Sequence, residues 1–357
     1  MTGETVTSWP QLLALASQGQ ALGASIEGVD LSGADLSGMD LRRTRWSSCS
    51  LAGAKLARSL WTGADLGRAS LAGADLGGAD LGLATLRGVS LEGAVLADAN
   101  LSGADLSGAT LRGAKLGRTR FSGVVLAGAS LADLDLRGCP VDSADLGDAD
   151  LRGARFYLAV FTGADFTRCK LDARTELRQC LLDGTDFTGA ILAGASLRDA
   201  NLTGAKLAGA DLRGVEATQA CFARADLSGA KLGGLRGTRA DFTGAKLEGA
   251  DLAKAILEDA ELSEVDARRA LFRGARMSKA RFPHARLGEA LFQEADLRYA
   301  DLSHADLRGA VLLDAVLDHA DLHRADLGNA VTSGARLTGV RRTNADRAAA
   351  EDFSTKG

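Results

Sequence analysis

From residue 24 onward the apolar and polar positions fall into a five-residue unit that barely varies. A small residue, a polar one, Leu, then two small or polar residues make one unit, as in Ala34-Asp35-Leu36-Ser37-Gly38. The Leu is the centre of the unit, and the small residue two before it is the inner small position. Ala64/Leu66, Ala104/Leu106, Ala144/Leu146, Ala225/Leu227 and Ala305/Leu307 repeat the template. In extended backbone, residues two apart face the same way. Ala34 and Leu36 therefore point inward together and Asp35 points out. Ser37 and Gly38 make a corner, where Gly relieves the turn. A five-residue period would drift around a 3.6-residue helical turn, so the pattern predicts strands and corners. Repeated over hundreds of residues, it predicts an elongated array of stacked coils.

The centres fall every five residues from Ile26 to Leu171, step once by six to Leu177, and continue to Leu337. The extra residue lies within Asp172-Ala173-Arg174-Thr175-Glu176, where a local bulge or slight kink absorbs it better than a domain linker. Longer correlations set the number of sides per coil. Ser50, Ser70, Ser90, Thr110 and Ser130 share one outward slot at spacing twenty, and His284 and His304 are also twenty apart. Four sides per coil follow, in an all-β fold of about sixteen coils. At about 4.8 Å between stacked strands, these would span on the order of 75 Å.

Weak centres are compensated. Ala217 is matched by Val215, Gly237 by Leu235 and Ala267 by Val265. Volume moves between the two inward slots, as a close-packed interior requires. Trp46 and Trp61 go the other way, with Thr44 and Ser59 beside them.

The ends depart from the repeat. Residues 1–7 read as a disordered lead, and Ser8-Trp9-Pro10-Gln11 reads as a helix start. Ser8 would cap it, Gln11 would complete a capping box, and Pro10 suits the first turn. Leu12, Leu13 and Leu15 supply an apolar face and Gly19 an end. Residues 1–23 are thus expected to form a lead and a capping helix over the first coil, whose edge would otherwise be open. Residues 24–342 read as a single solenoid and 343–357 as a polar tail.

Composition narrows the functional classes. Among 357 residues there are 44 Gly, 3 Pro and only 4% aromatic residues, which suits a narrow Leu–Ala interior. With 42 basic and 46 acidic residues the net charge is −4, and neither half is polybasic. Direct nucleic-acid binding by phosphate neutralisation is not expected. The five cysteines are odd in number and form no CxxC pair, against a disulfide framework. Cys49, Cys139, Cys169 and Cys180 stand in small inward slots, and Cys221 stands in an outward, accessible one. There is no charged-then-apolar leader and no apolar run of spanning length. A cytoplasmic protein without membrane contact is the expectation.

Tandem Ala-Asp-Leu-x-Gly units such as Ala34–Gly38, Ala64–Arg68 and Ala325–Asn329 resemble the pentapeptide-repeat family, from about Ala24 to Gly339. The resemblance implies a right-handed quadrilateral β-helix and a protein-binding surface in place of an active site. Well-understood members of that family protect DNA gyrase or topoisomerase IV by mimicking duplex DNA. A type II topoisomerase is therefore the alternative partner, with resistance to gyrase-targeting antibiotics as the outcome. Other members resemble secretion-system effectors or accessories. The protectors are generally shorter and more acidic, and they end in a segment that pairs two rods; Arg347–Phe353 here is short and polar. The first reading is a non-enzymatic interaction scaffold, with homodimerisation as one form of that interaction.

Two outward columns carry these readings. Leu271, Leu291, Val311 and Val331 each precede a centre, where Asp, Asn, Lys or Arg is usual. Twenty apart, they should form an apolar stripe over successive coils, with Leu313 extending it. An aligned stripe suggests an interface, against the alternative of β-branched stacking alone. Asp65, Asp105, Asp145 and Asp165 form an acidic column that could imitate a phosphate track, although Thr85 and Val125 interrupt it. Tyr157, Leu158 and Val160 make a smaller apolar patch, and Arg42, Arg43 and Arg45 a solvated basic cluster. His284 and His304 should stack, but Glu264 and Arg324 continue their column and no three-ligand metal set is evident. No catalytic, cofactor-binding or metal residues are assigned.

Overall fold

The computed structural model describes residues 5–67, 69–345, 348 and 351. They fall into two compact units, Met1–Leu181 and Leu182–Gly357. Each is a four-sided solenoid of parallel β-bridges. In the first, Asp35 pairs with Lys55, Lys55 with Asp75 and Asp75 with Val95; in the second, Leu271 pairs with Leu291 and Leu291 with Val311. Apart from the step across the extra residue near 172, each such step is twenty residues, so five-residue sides close into four-sided coils.

Backbone hydrogen bonding explains the period. Leu36 N–H donates to Lys55 O at 2.8 Å, Gly38 N–H to Ala57 O at 2.9 Å, and Lys55 N–H to Ala34 O at 2.8 Å. Ala34 N–H closes the corner onto Leu31 O at 3.0 Å. Of the five N–H groups in the unit this leaves that of Ser37, just after the centre. Asp35 Oδ1 accepts it at 3.1 Å. The outward Asp is therefore a turn-closing residue: its carboxylate supplies the acceptor that the ladder omits. Asp75 does the same for Gly77, Asp80 for Gly82 and Asn100 for Ser102. The residue after that is left-handed. Gly takes this conformation readily, but Asn329 at φ 59° and Leu158 at φ 55° hold it too.

Centres and inner small residues fill the interior. Where the inner residue is polar, its hydroxyl donates to the carbonyl three residues back, as Thr185 does to Leu182 and Thr119 to Leu116. A Cβ on Gly237 would come within 3.0 Å of both Leu235 Cδ2 and Leu257 Cδ2. The missing side chain at that centre is thus replaced by its neighbours, with no cavity left.

In the first unit, β1 (Thr5–Val6), β2 (Ser25–Glu27) and β3 (Arg45–Ser47) form a parallel sheet in which Thr5 pairs with Ser25 and Ser25 with Arg45. The expected disordered lead is corrected here: Thr5 and Val6 continue a column, and Val6 is buried. Residues 1–4 lie outside the described residues. Helix α1 (Trp9–Ser17) carries Pro10 in its first turn, but Ser8 makes no side-chain cap. Gln11 Oε1 instead accepts the N–H of Thr7 at 3.1 Å. Leu12 is buried, whereas Leu13, expected on the same face, is exposed.

The extra residue near 172 is taken up in a corner. Strand β4 (Arg155–Tyr157) pairs with β5 (Glu176–Arg178) at a spacing of twenty-one. Thr175 Oγ1 accepts from the backbone of Asp172 at 3.0 Å and of Gly153 at 3.2 Å, tying the longer corner down. Of the tail expected at 343–357, residues 346, 347, 349, 350 and 352–357 lie outside the described residues. No helix among the described residues is long and apolar enough to cross a membrane.

Candidate interaction surfaces

The expected apolar stripe is a continuous ladder. Leu271 bridges Leu291, Leu291 bridges Val311, and Val311 bridges Val331. The first three are half-buried because each covers its neighbour, while Val331 is 45% and Leu313 40% exposed. Directly inside, Phe272 and Phe292 stack with centroids 4.8 Å apart, so this wall is apolar on both faces. The backbone is fully engaged in the ladder: Leu291 N–H donates to Ala270 O and Val311 N–H to Ala290 O, both at 2.9 Å. These four residues also have no oxygen with which to close their own turns, so the column gives up the turn-closing bond that Asp supplies elsewhere.

The acidic column is built differently. Asp65, Asp105, Asp145 and Asp165 lie along one line of bridges, interrupted by Thr85 and Val125. Each spends Oδ1 on its own turn, accepting from Gly67, Ser107, Gly147 and Thr167 respectively. Asp105 Oδ2 is further paired with Arg87 Nε at 2.5 Å. Partial burial raises the Asp105 pKa, but hydrogen bonds from Ser107 and Arg87 outweigh it and hold the carboxyl below its ordinary range. Asp148, near this column, is paired with Arg168 at 2.7 Å. The column is thus a set of turn-closing residues, of which Asp105 also holds a local counter-ion.

Tyr157, Leu158 and Val160 are exposed as expected, and Leu181, bridged to Val160, enlarges their patch. Arg42, in the basic cluster, is paired with Asp40 at 2.6 Å.

The histidines converge further than their spacing indicates. His284 stacks on His304 at 4.6 Å, as expected, and His323 meets His304 edge-on at 5.5 Å. His323 is 1% exposed. Glu351 Oε2 lies 3.2 Å from His323 Nε2, 3.3 Å from His304 Nε2 and 3.4 Å from Arg324 Nε. Two His and one Glu with ligand atoms within 4.8 Å of one another form a three-ligand set that the sequence did not reveal. The separations suit a tetrahedral cation, whose ligand edges are about 3.3 Å for metal bonds of about 2.0 Å. The hydrogen bonding suits it poorly. His323 Nδ1 accepts the N–H of Asn344 at 3.1 Å, which puts the ring proton on Nε2, pointing at Glu351. A metal on Nε2 would move that proton to Nδ1, against the Asn344 N–H, and would sit beside the Arg324 guanidinium.

The family model for pentapeptide repeats (8 copies) matches residues 21–45, 49–88, 84–113, 104–139, 142–173, 180–216, 220–259, 255–293, 275–314, 295–331 and 315–346. The chain belongs to the pentapeptide-repeat family. Similar solved structures include HetL, a pentapeptide repeat protein involved in heterocyst differentiation regulation from the cyanobacterium Nostoc sp. strain PCC 7120. It is 30% identical over 59% of this chain and 90% of its own, with a TM-score of 0.32. A pentapeptide repeat protein of the Arabidopsis thaliana thylakoid lumen is 32% identical over 33% of this chain and 71% of its own, with a TM-score of 0.22. QnrB1, a plasmid-mediated fluoroquinolone resistance protein, is 21% identical over 66% of this chain and 91% of its own, with a TM-score of 0.26. No curated protein matches the chain. Pentapeptide-repeat proteins are generally non-enzymatic scaffolds, which directs attention to their outward columns.

Sequence reasoning located both columns in this pentapeptide-repeat protein. It missed His323 and Glu351, twenty-eight residues apart, because Glu351 lies beyond the last repeat and no period relates the two. The adjacent His323-Arg324, in slots filled mostly by small or polar residues, was the available signal.

Proposed function

We propose that this protein is a non-enzymatic scaffold that binds protein through the face ruled by Leu271, Leu291, Val311 and Val331. The observation that carries the reading is the ladder itself. Four successive coils carry an aliphatic residue where Asp, Asn, Lys or Arg is usual, and an aliphatic side chain cannot close the turn as Asp does. A functional contact accounts for it. Because the N–H groups of Leu291 and Val311 are already donated along the ladder, binding is face to face through side chains and not by strand addition. A second copy of the chain is the occupant we assign, since a regular ladder can meet itself across a two-fold axis in an isologous contact.

The test is sedimentation velocity of the full chain over a wide concentration range, beside a Leu291→Asp/Val311→Asp variant. A concentration-dependent dimer that the double variant loses, while keeping its β-type circular dichroism, supports the proposal. A wild-type chain that stays monomeric throughout sinks it.

A further inference from the structure

Thr343, Asn344 and Ala348 are held by His323 and Arg324, adjacent residues at one corner of the solenoid. Arg324 N–H donates to Thr343 Oγ1 at 3.1 Å, and Arg324 Nη2 donates to Ala348 O at 2.6 Å. Asn344 N–H donates to His323 Nδ1 at 3.1 Å. Those contacts prepare a site. With Nδ1 occupied, His323 must present Nε2–H, and with Nη2 on Ala348 the Arg324 fork presents Nε on the same side. His304 completes the set, its ring fixed by stacking on His284. Three nitrogens therefore lie within 3.4 Å of one carboxylate oxygen, Oε2 of Glu351, His323 hydrogen-bonded to it and His304 and Arg324 at ion-pair distance.

Next to this set lies an apolar mouth at the last coil. A cavity of about 350 Å³ is lined by Leu312, Leu317, Leu322 and Leu337 together with Arg342 and Thr343. Leu337 is a centre by sequence yet 37% exposed, because no coil covers it among the described residues. Thr343 belongs to both features: it lines the mouth and accepts from Arg324.

We infer that His304, His323 and Arg324 form a carboxylate-binding site which the chain's own Glu351 fills, so that Thr343, Asn344, Ala348 and Glu351 are a displaceable strap beside the apolar mouth. The ligand class follows from the donors. An anionic oxygen accepts from His323 Nε2–H and pairs with the Arg324 charge, whereas a cation meets the Arg324 charge and the wrong His323 tautomer. An acidic side chain from a partner offers the same chemistry as Glu351, and displacing Glu351 would loosen the strap. The inference does not depend on the Leu271–Val331 ladder.

The test uses the full chain, its Glu351→Ala variant and a Glu351→Ala/Arg324→Met double variant, with acetate as probe. In the single variant, the amides of Asn344 and Ala348 should exchange roughly tenfold faster than in wild type, as expected for loss of a charge-assisted contact. Acetate should then shift the ring resonances of His304 and His323 and restore part of that protection, while chloride at equal ionic strength should not. Neither the wild type, whose site is filled, nor the double variant should respond. Unchanged exchange in Glu351→Ala would overturn the inference, as would an acetate response equal in the double variant. So would stoichiometric zinc binding by the wild type that Glu351→Ala removes, since it would assign the site to a cation.

Discussion

Trp61 donates its indole Nε1–H to Ser59 Oγ at 2.6 Å, and that hydroxyl donates in turn to Leu56 O at 2.5 Å. Trp46 and Thr44 repeat the arrangement onto Leu41 O, and the two indoles lie 5.2 Å apart. Volume alone explains why the residue beside each Trp is small. The buried N–H explains why it is a hydroxyl residue and not Ala. Ser59→Ala should therefore destabilise the protein by about 1–3 kcal/mol, the cost of an unsatisfied buried donor. Ser59→Thr, which copies Thr44, should cost much less. Urea midpoints for the two variants decide it, and equal midpoints would show that the hydroxyl is dispensable.

The turn-closing role of Asp predicts a graded series at Asp75, whose Oδ1 accepts from Gly77 at 3.0 Å. Asp75→Asn keeps an acceptor oxygen and should be close to wild type. Asp75→Ala loses it and should cost about 0.5–1.5 kcal/mol. Thermal unfolding of both variants reads the difference, and equal losses would mean that the contribution is charge and not the turn.

That series also marks how far the sequence could be read. The period, the four-sided coil and the Leu271–Val331 alignment were legible because a spacing of five or twenty is a geometric quantity carried by the chain alone. The reason for the recurring Asp was not. An outward Asp such as Asp75 looks like ordinary solvated charge until the hydrogen bonds around Leu76 show which N–H the ladder leaves over. Thr5–Val6 was missed for a related reason: two residues are too few to display a period, and only pairing with Ser25–Ile26 makes them a strand. Glu351 escaped because its partners are set by the path of the chain beyond the repeat.

Acid should weaken the fold through its Asp-x-Arg pairs. In Asp211–Arg213, Asp296–Arg298 and Asp306–Arg308, the Arg guanidinium bonds the carboxylate at 2.6–2.8 Å. Those side-chain hydrogen bonds, opposed by partial burial and aided by the Arg backbone N–H and its charge, hold each Asp pKa below its ordinary value. A carboxyl depressed in the folded state contributes stability above its unfolded value of about 3.9 and loses it as pH falls through the folded value. Urea midpoints should be level from neutral pH to about 5 and then decline. Asp296→Asn with Asp306→Asn should shallow the decline; the same slope in wild type and variant would count against these pairs as its source. Exposure of the guanidinium groups keeps each contribution small.

Gly237 and Leu235 should be exchangeable only together. Gly237→Leu drives a side chain into space held by Leu235 and Leu257, and should cost about 1–3 kcal/mol by overpacking. Leu235→Ala empties the same space, at about 2–5 kcal/mol. Combined, the substitutions restore the usual Ala-x-Leu order, so the double variant should be more stable than either single one. A double-mutant cycle with no coupling would mean that the two positions do not share one volume.

Thiol chemistry separates the inward slots from the outward ones. Cys49, Cys139, Cys169 and Cys180 are buried, whereas Cys221 is partly exposed. Burial pushes the Cys139 thiol up to about 11, that of Cys180 up to about 12, and that of Cys169 higher still. Burial likewise raises Cys49. The thiolate is the nucleophile, so these four are shielded twice, by access and by charge state. Cys221 stands in the outward slot with Thr203 Oγ1 3.3 Å away. A small maleimide at about pH 8, near the ordinary thiol pKa, should consume one equivalent on the folded chain, none on Cys221→Ser and five on the wild type in denaturant. Rapid loss of a second thiol from the folded chain would show that a coil opens on the time scale of labelling. Peptide mapping would then name the buried cysteine, and so the side of the solenoid, that became accessible.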